Sequence, residues 1–203
     1  MGARPRFDLA GRAVSLLVQR LLKLPRAVTV ERDLRIPTAS LERIADEAGL
    51  ARATVHRRFS SRKALLEALF AQLNEQYLRA LDEAEVETAP PLMAPHRVTE
   101  LVIGIKFSHR LVVDVVSRVH DGRSFLGDEV VERAQLLFSR LHAAGAITAA
   151  SPSWCLRLYL AVLDVVHQLP AGAAELGEGD DAAARTHLQV STVLGALGGD
   201  RPQ

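Results

Sequence analysis

Four side chains able to donate hydrogen bonds, Arg52, Thr54, His56 and Arg57, share one side of a short stretch, and Val55 and Phe59 occupy the other. On a helix this pattern sends the polar residues outward together and turns the apolar pair inward. Arginine offers paired N–H donors that suit the O6 and N7 of guanine. Threonine suits a thymine methyl or a phosphate, and histidine can donate to a phosphate oxygen. A helix of this size fits the major groove of duplex DNA. Its N-terminal half reaches base edges while flanking groups hold phosphates.

Such a surface is useful only if something fixes its tilt. Residues 40–59 read Ser-Leu-Glu-Arg-Ile-Ala-Asp-Glu-Ala-Gly-Leu-Ala-Arg-Ala-Thr-Val-His-Arg-Arg-Phe. Ser40 stands where an N-cap belongs, and Gly49 supplies a tight turn before a second short helix over 52–59. Leu41, Ile44, Ala45, Ala48, Leu50, Val55 and Phe59 then face inward and lock two helices at a steep angle, the spacing of a helix-turn-helix. Ser60 or Ser61 caps a long helix that follows, and Ser61, Arg62 and Lys63 sit where its backbone amides favour an anionic phosphate. The charge agrees. Residues 1–63 hold 14 Arg and Lys against 6 Asp and Glu, and the remainder holds 11 against 18, although the formal net charge is only +1. A basic first third on an acidic remainder points to one part that meets a polyanion and another that does not. The bland alternative, a hairpin that merely completes a helical bundle, leaves this charge unexplained.

Residues 40–66 resemble the N-terminal DNA-binding domain of TetR-type transcriptional regulators, whose typical form is S-x-x-x-I-A-x-x-A-G-V-S-x-x-T-L-Y-x-H-F-x-S-K-x-x-L. The Ala-Gly turn, Thr54, Phe59 and the leucine pair that follows carry the match. The resemblance implies a DNA-contacting set of Ser40, Ala51, Arg52, Ala53, Thr54, His56, Arg57 and Arg62, with Arg62 at the phosphate-binding lysine position. His56 replaces the usual tyrosine and Ala51 the usual serine. It also implies a twofold dimer on a near-palindromic operator, released when an unidentified small-molecule effector enters a second domain.

The rest of the chain is read as helical, giving an all-α fold: a helix-turn-helix DNA-binding domain over 1–66 and a helical regulatory and dimerisation domain over 67–203. Apolar spacing predicts a first helix over 9–24 ended by Pro25. Residues 28–36 suit either a second helix or an irregular segment. A long helix follows 60–61, with Leu65, Leu66, Leu69, Phe70, Leu73, Tyr77, Leu78 and Leu81 on one stripe. Residues 88–95 carry three prolines and break it. Helices follow over 98–119 and 130–141, then from Ser151-Pro152 to about Gln168, and lastly after Asp180 or Asp181 to Leu197, with a flexible loop over 170–179. The 154–166 stretch is apolar nearly all round. With Leu188, Val190, Val193, Leu194 and Leu197 it can form a four-helix interface across a twofold axis. Phe107, His109, Leu111, Phe138, Trp154 and Tyr159 lie on these helices and can line an apolar ligand pocket, with ordinary core packing as the alternative for each.

Other classes find little support. Apolar residues make up 48% and charged residues 24%, near the soluble average. The best candidate for a membrane span, 101–119, is interrupted by Lys106, His109, Arg110 and Asp114, and no leader peptide is evident, so a cytoplasmic protein is expected. The single cysteine, Cys155, gives no internal disulfide. The histidines lack a short ligand spacing, and neither a nucleophile elbow nor a phosphate-cradling glycine loop occurs, so no catalytic residue, metal or cofactor is expected. The rival reading is an α-helical small-molecule binding protein or enzyme whose basic N-terminal segment contacts a protein partner.

Overall fold

Burial follows the spacing read from the sequence. The computed structural model describes residues 40–47, 51–108, 126–177 and 182–199, and these contain seven α-helices, one 3-10 turn and no strand. Several readings lie outside the described residues: those on 1–39, on Ala48, Gly49 and Leu50, on 109–123 with His109 and Leu111, and on the Asp180 or Asp181 cap. The chain divides into two compact units, Met1–Glu75 with Ser108–Phe125 and Gln76–Phe107 with Leu126–Gln203.

In the first unit α1 spans Leu41–Glu47, α2 Arg52–Arg58, and α3, Arg62–Glu83, begins. Leu41 and Ala45 lie one turn apart and are buried on α1, and α1 packs on α2. Val55 is the one buried residue of α2. Phe59 has already left the helix (φ −124°, ψ 115°), so α2 ends at Arg58, and its ring is buried. Leu65, Leu66, Leu69 and Leu73 of α3 are buried as well, while Phe70 is half-exposed. Ser61, rather than Ser60, caps α3: its Oγ accepts from the Ala64 N–H at 3.1 Å.

In the second unit, residues 84–93 carry the chain from α3 through turns into α4 (Ala94–Ser108). Then come α5 (Asp128–Ala143), α6 (Pro152–Gln168), the 3-10 turn Ala174–Leu176 and α7 (Ala182–Ala196). α6 packs against both α5 and α7. Its start is the expected one: Ser151 Oγ accepts from the Trp154 N–H at 3.4 Å, with Pro152 in the first turn. The turn after α3 is fastened from α5, where Arg140 donates from Nη1 to the Val86 carbonyl (2.5 Å) and from Nη2 to that of Ala89 (2.8 Å). The C-terminus of α7 returns to the segment before α6, Thr148 and Ala149 donating their N–H groups to the Leu197 carbonyl. Only glycine fits at 198. Its φ is +80°, and a Cβ there would lie 2.0 Å from Thr148 Oγ1.

One ion pair in this unit is lopsided. The Lys106 ammonium donates to Asp164, yet the lysine side chain is 3% exposed and the aspartate 60%. Removing the carboxylate strands a buried cation, whereas replacing the lysine by an apolar isostere strands only a solvated anion. Asp164→Ala is therefore expected to cost about 1–2 kcal/mol, moderated by the aspartate's exposure, and Lys106→Met close to nothing. Thermal melts of both variants would decide it: equal melting temperatures, or a larger loss for Lys106→Met, would contradict the asymmetry.

Candidate nucleic-acid interface

α2 presents nearly all of its surface outward. Ala51, Arg52, Ala53, Thr54, His56, Arg57 and Arg58 are exposed, and Val55 alone points into the unit. The turn into the helix is tight, with the N–H groups of Thr54 and Val55 both donating to the Ala51 carbonyl (2.8 and 3.3 Å). Ala51 has no side chain with which to cap. Ser40 is exposed at the start of α1, and Arg62 is half-exposed in the first turn of α3. Of the eight residues expected to contact DNA, six are thus consecutive or near-consecutive on the α2 surface, and the other two open the flanking helices.

Two acids that the sequence reading did not single out join this surface. Asp46 accepts from Arg52 twice, from Nε at 2.8 Å and from Nη2 at 2.5 Å. Glu42 Oε1 lies 2.6 Å from His56 Nε2. Each pair is exposed, Arg52 at 61% and Asp46 at 48%. Hydrogen bonds from Ser40, from the Glu42 backbone and from His56 pull the Glu42 carboxyl down to about 2, so it is ionised across the physiological range. The Arg52 hydrogen bonds lower Asp46, and Asp46 in turn raises Arg52. The signal was present in the spacing. Glu42 and Asp46 are four apart on α1, and Arg52 and His56 are four apart on α2, so each pair shares a helix face.

Of the six residues proposed to line a pocket, Phe107, Phe138, Trp154 and Tyr159 are described, two of them buried and two exposed. Phe138 and Tyr159 are both buried, with ring centroids 6.1 Å apart in an edge-on arrangement. The Tyr159 hydroxyl lies 3.1 Å from Thr99 Oγ1, and burial pushes the phenol up to about 12, keeping it protonated. Phe107 is 45% exposed and sits instead against His167 (5.4 Å, edge-on) and under the Arg185 guanidinium (5.4 Å). Trp154 is 53% exposed on the outer face of α6. The core face of α7 is also more polar than its leucines and valines suggested. Arg185 donates to the carbonyls of Val166 and Leu169 near the end of α6, and Gln189 Nε2 to that of Tyr159 (2.9 Å). Among the described residues, no group of three or more His, Cys, Asp or Glu side chains could hold a metal ion, and no helix is long and apolar enough to cross a membrane.

An exposed basic helix braced on a second short helix, followed by a separate helical unit, defines a helix-turn-helix fold. Residues 37–69 match the family model described as bacterial regulatory proteins, tetR family. Solved structures share the fold over nearly the whole chain. The ketosteroid transcriptional regulator KstR2 of Mycobacterium tuberculosis aligns with a TM-score of 0.62 at 15% identity, covering 98% of this chain and 99% of its own. AibR, solved with isovaleryl coenzyme A and operator DNA, aligns at 0.61 and 14%, covering 94% and 100%. The TetR-like regulator LfrR of Mycobacterium smegmatis, solved with proflavine, aligns at 0.51 and 24%, covering 93% and 94%. At these identities the likeness is one of fold. No curated protein matches the chain. Residues 37–69 thus carry the tetR-family match, and over nearly the whole chain the fold is the one seen in solved TetR-family regulators.

Proposed function

We propose that this protein is a homodimeric repressor that leaves a near-palindromic operator when a small molecule binds its second domain. Residues 1–66 are the DNA-binding domain and 67–203 the regulatory and dimerisation domain. The observation that carries the reading is the α2 surface, on which Arg52, Thr54, His56 and Arg57 are all exposed over a single buried prop, Val55. Arg52, Thr54 and Arg57 read base edges. His56, Arg62 and the N-terminal Arg4 and Arg6 contact phosphates, with Ser40, Ala51 and Ala53 completing the approach to the backbone.

The dimer face is the outer side of α6 and α7. Trp154 and Val165, 53% and 64% exposed, lie about three turns apart on α6, and Leu188 and Leu194 of α7 are half-exposed. Val190, Val193 and Leu197, also candidates for that interface, are buried within the chain and serve its own core. Trp154 therefore suits the dimer face better than a pocket. Solved relatives holding isovaleryl coenzyme A and proflavine support an effector site in the second domain. Phe107, His109, Leu111, Phe138 and Tyr159 are its candidate lining. An effector acts by favouring a dimer geometry in which the two recognition helices no longer match successive major grooves.

Selection of bound sequences from random duplex DNA tests this reading. The expected product is a two-fold symmetric site whose half-sites lie about 10 base pairs, or a multiple, apart. Its affinity should fall steeply with salt, log K against log salt sloping by about −0.9 for each phosphate neutralised. Arg52→Ala is expected to cost ~1–3 kcal/mol on that site and to relax specificity at one base pair per half-site. No enriched sequence and a flat salt response would refute DNA binding and favour the rival protein-partner reading. An asymmetric site would refute the dimer.

A further inference from the structure

We propose that Asp46 is a positioning residue for base recognition, holding the Arg52 guanidinium so that its outer edge is set to read a guanine; this rests on the DNA-binding reading above. A guanidinium carries five N–H donors, one on Nε and two on each Nη. Asp46 occupies one on Nε and one on Nη2. Two on Nη1 and one on Nη2 remain, and among the described residues none of these has a bond. That remaining end-on edge is the paired donor that the O6 and N7 of guanine accept in the major groove. The carboxylate has taken the side of the fork that base recognition does not need.

The brace is built to be rigid. Leu41 and Ala45 of α1 are buried, and Glu42 and Asp46 each follow by one residue, which puts both acids on the flank of α1 beside α2. Arg52 and His56, four apart on α2, meet them as two parallel rungs. A long arginine on an exposed helix loses considerable rotamer freedom when it docks on a base. One already held by a bidentate carboxylate has lost much of it beforehand. Asp46 also puts a negative charge near a polyanion. A brace therefore has a signature that a mere electrostatic brake lacks: it sharpens discrimination at one base pair while lowering affinity for every sequence slightly.

The test uses the full chain, the duplex recovered by selection, and the set of duplexes with one base pair changed per half-site. The parent is expected to prefer one G·C pair over its replacements by about tenfold or more. Asp46→Asn and Asp46→Ala should each reduce that preference by roughly fivefold and leave preferences at other positions unchanged, while affinity for unrelated duplex holds or rises. In an Arg52→Ala background, Asp46→Ala should remove nothing further at that pair. Three results would overturn the assignment: unchanged discrimination, a uniform gain on all duplexes, or an equal loss at every position accompanied by a lower melting temperature. If the parent itself selects no duplex, the DNA-binding reading fails and this inference with it. Failure of the Asp46 variants alone leaves that reading standing.

Discussion

Val55→Asp is expected to abolish binding to the selected duplex, by a hundredfold or more, while leaving most of the protein's helical signal in place. Val55 is the single buried residue of a seven-residue helix, so it is the only apolar anchor of α2, the two ion pairs to α1 lying exposed. Among the described residues of this unit no cation is buried, so a carboxylate at that point must either stay buried, at a cost on the order of 4 kcal/mol, or reach water by lifting α2 off α1. That sum is a large share of the ~5–15 kcal/mol that ordinarily holds a domain together. Seven residues cannot hold a helix on propensity alone, so an α2 lifted from its support loses its structure as well as its angle. Val55→Ile, which keeps the prop apolar, should bind within about fivefold of the parent, its extra methylene costing at most ~1–3 kcal/mol. Fluorescence anisotropy with labelled duplex and circular dichroism on the same samples give both readings. If Val55→Asp binds like the parent, the buried prop does not set the recognition helix.

Phe138→Ala is expected to lower the stability of the second unit by ~3–5 kcal/mol. Phe138 is buried on α5, and its ring meets that of Tyr159 on α6, so truncation empties the seam between two packed helices and removes an aromatic pair as well. Denaturant titration measures the loss. The outcome also separates the two roles weighed for this residue. A variant that folds with nearly parental stability would mean that the phenyl ring borders a cavity able to collapse or to take a ligand. The predicted loss would make Phe138 a core residue first and a pocket residue only through Tyr159.

How far these features could be read in advance depended on how local they are. The start of α6 at Pro152, its end at Gln168 and the cap at Ser151 were all legible, because caps and prolines act within a few residues. The end of α2 was read one residue late, since Phe59 continues the apolar pattern although its backbone has turned extended. The exposed surface of α2 was legible for the same reason as the helices: it follows from which neighbours are apolar. What surrounds it was less so. Asp46 reaches Arg52 across a turn, and the spacing that allows this carries meaning only once the crossing of α1 and α2 is known. Lys106 meets Asp164 across 58 positions, a pairing that only the topology brings about. The apolar count along α6 predicted two covered sides, and Trp154 and Val165 show one side uncovered within this chain.

Arg140 grips the exit of α3 through the main-chain oxygens of Val86 and Ala89, with no side chain of that turn taking part. The acceptor half of this latch cannot be deleted by substitution, because every amino acid supplies a carbonyl. Sequence drift in the connecting segment should therefore be tolerated, wherever its backbone path is kept, so long as position 140 remains arginine. Lysine there has the charge but not the fork, and it could hold one of the two oxygens while releasing the other.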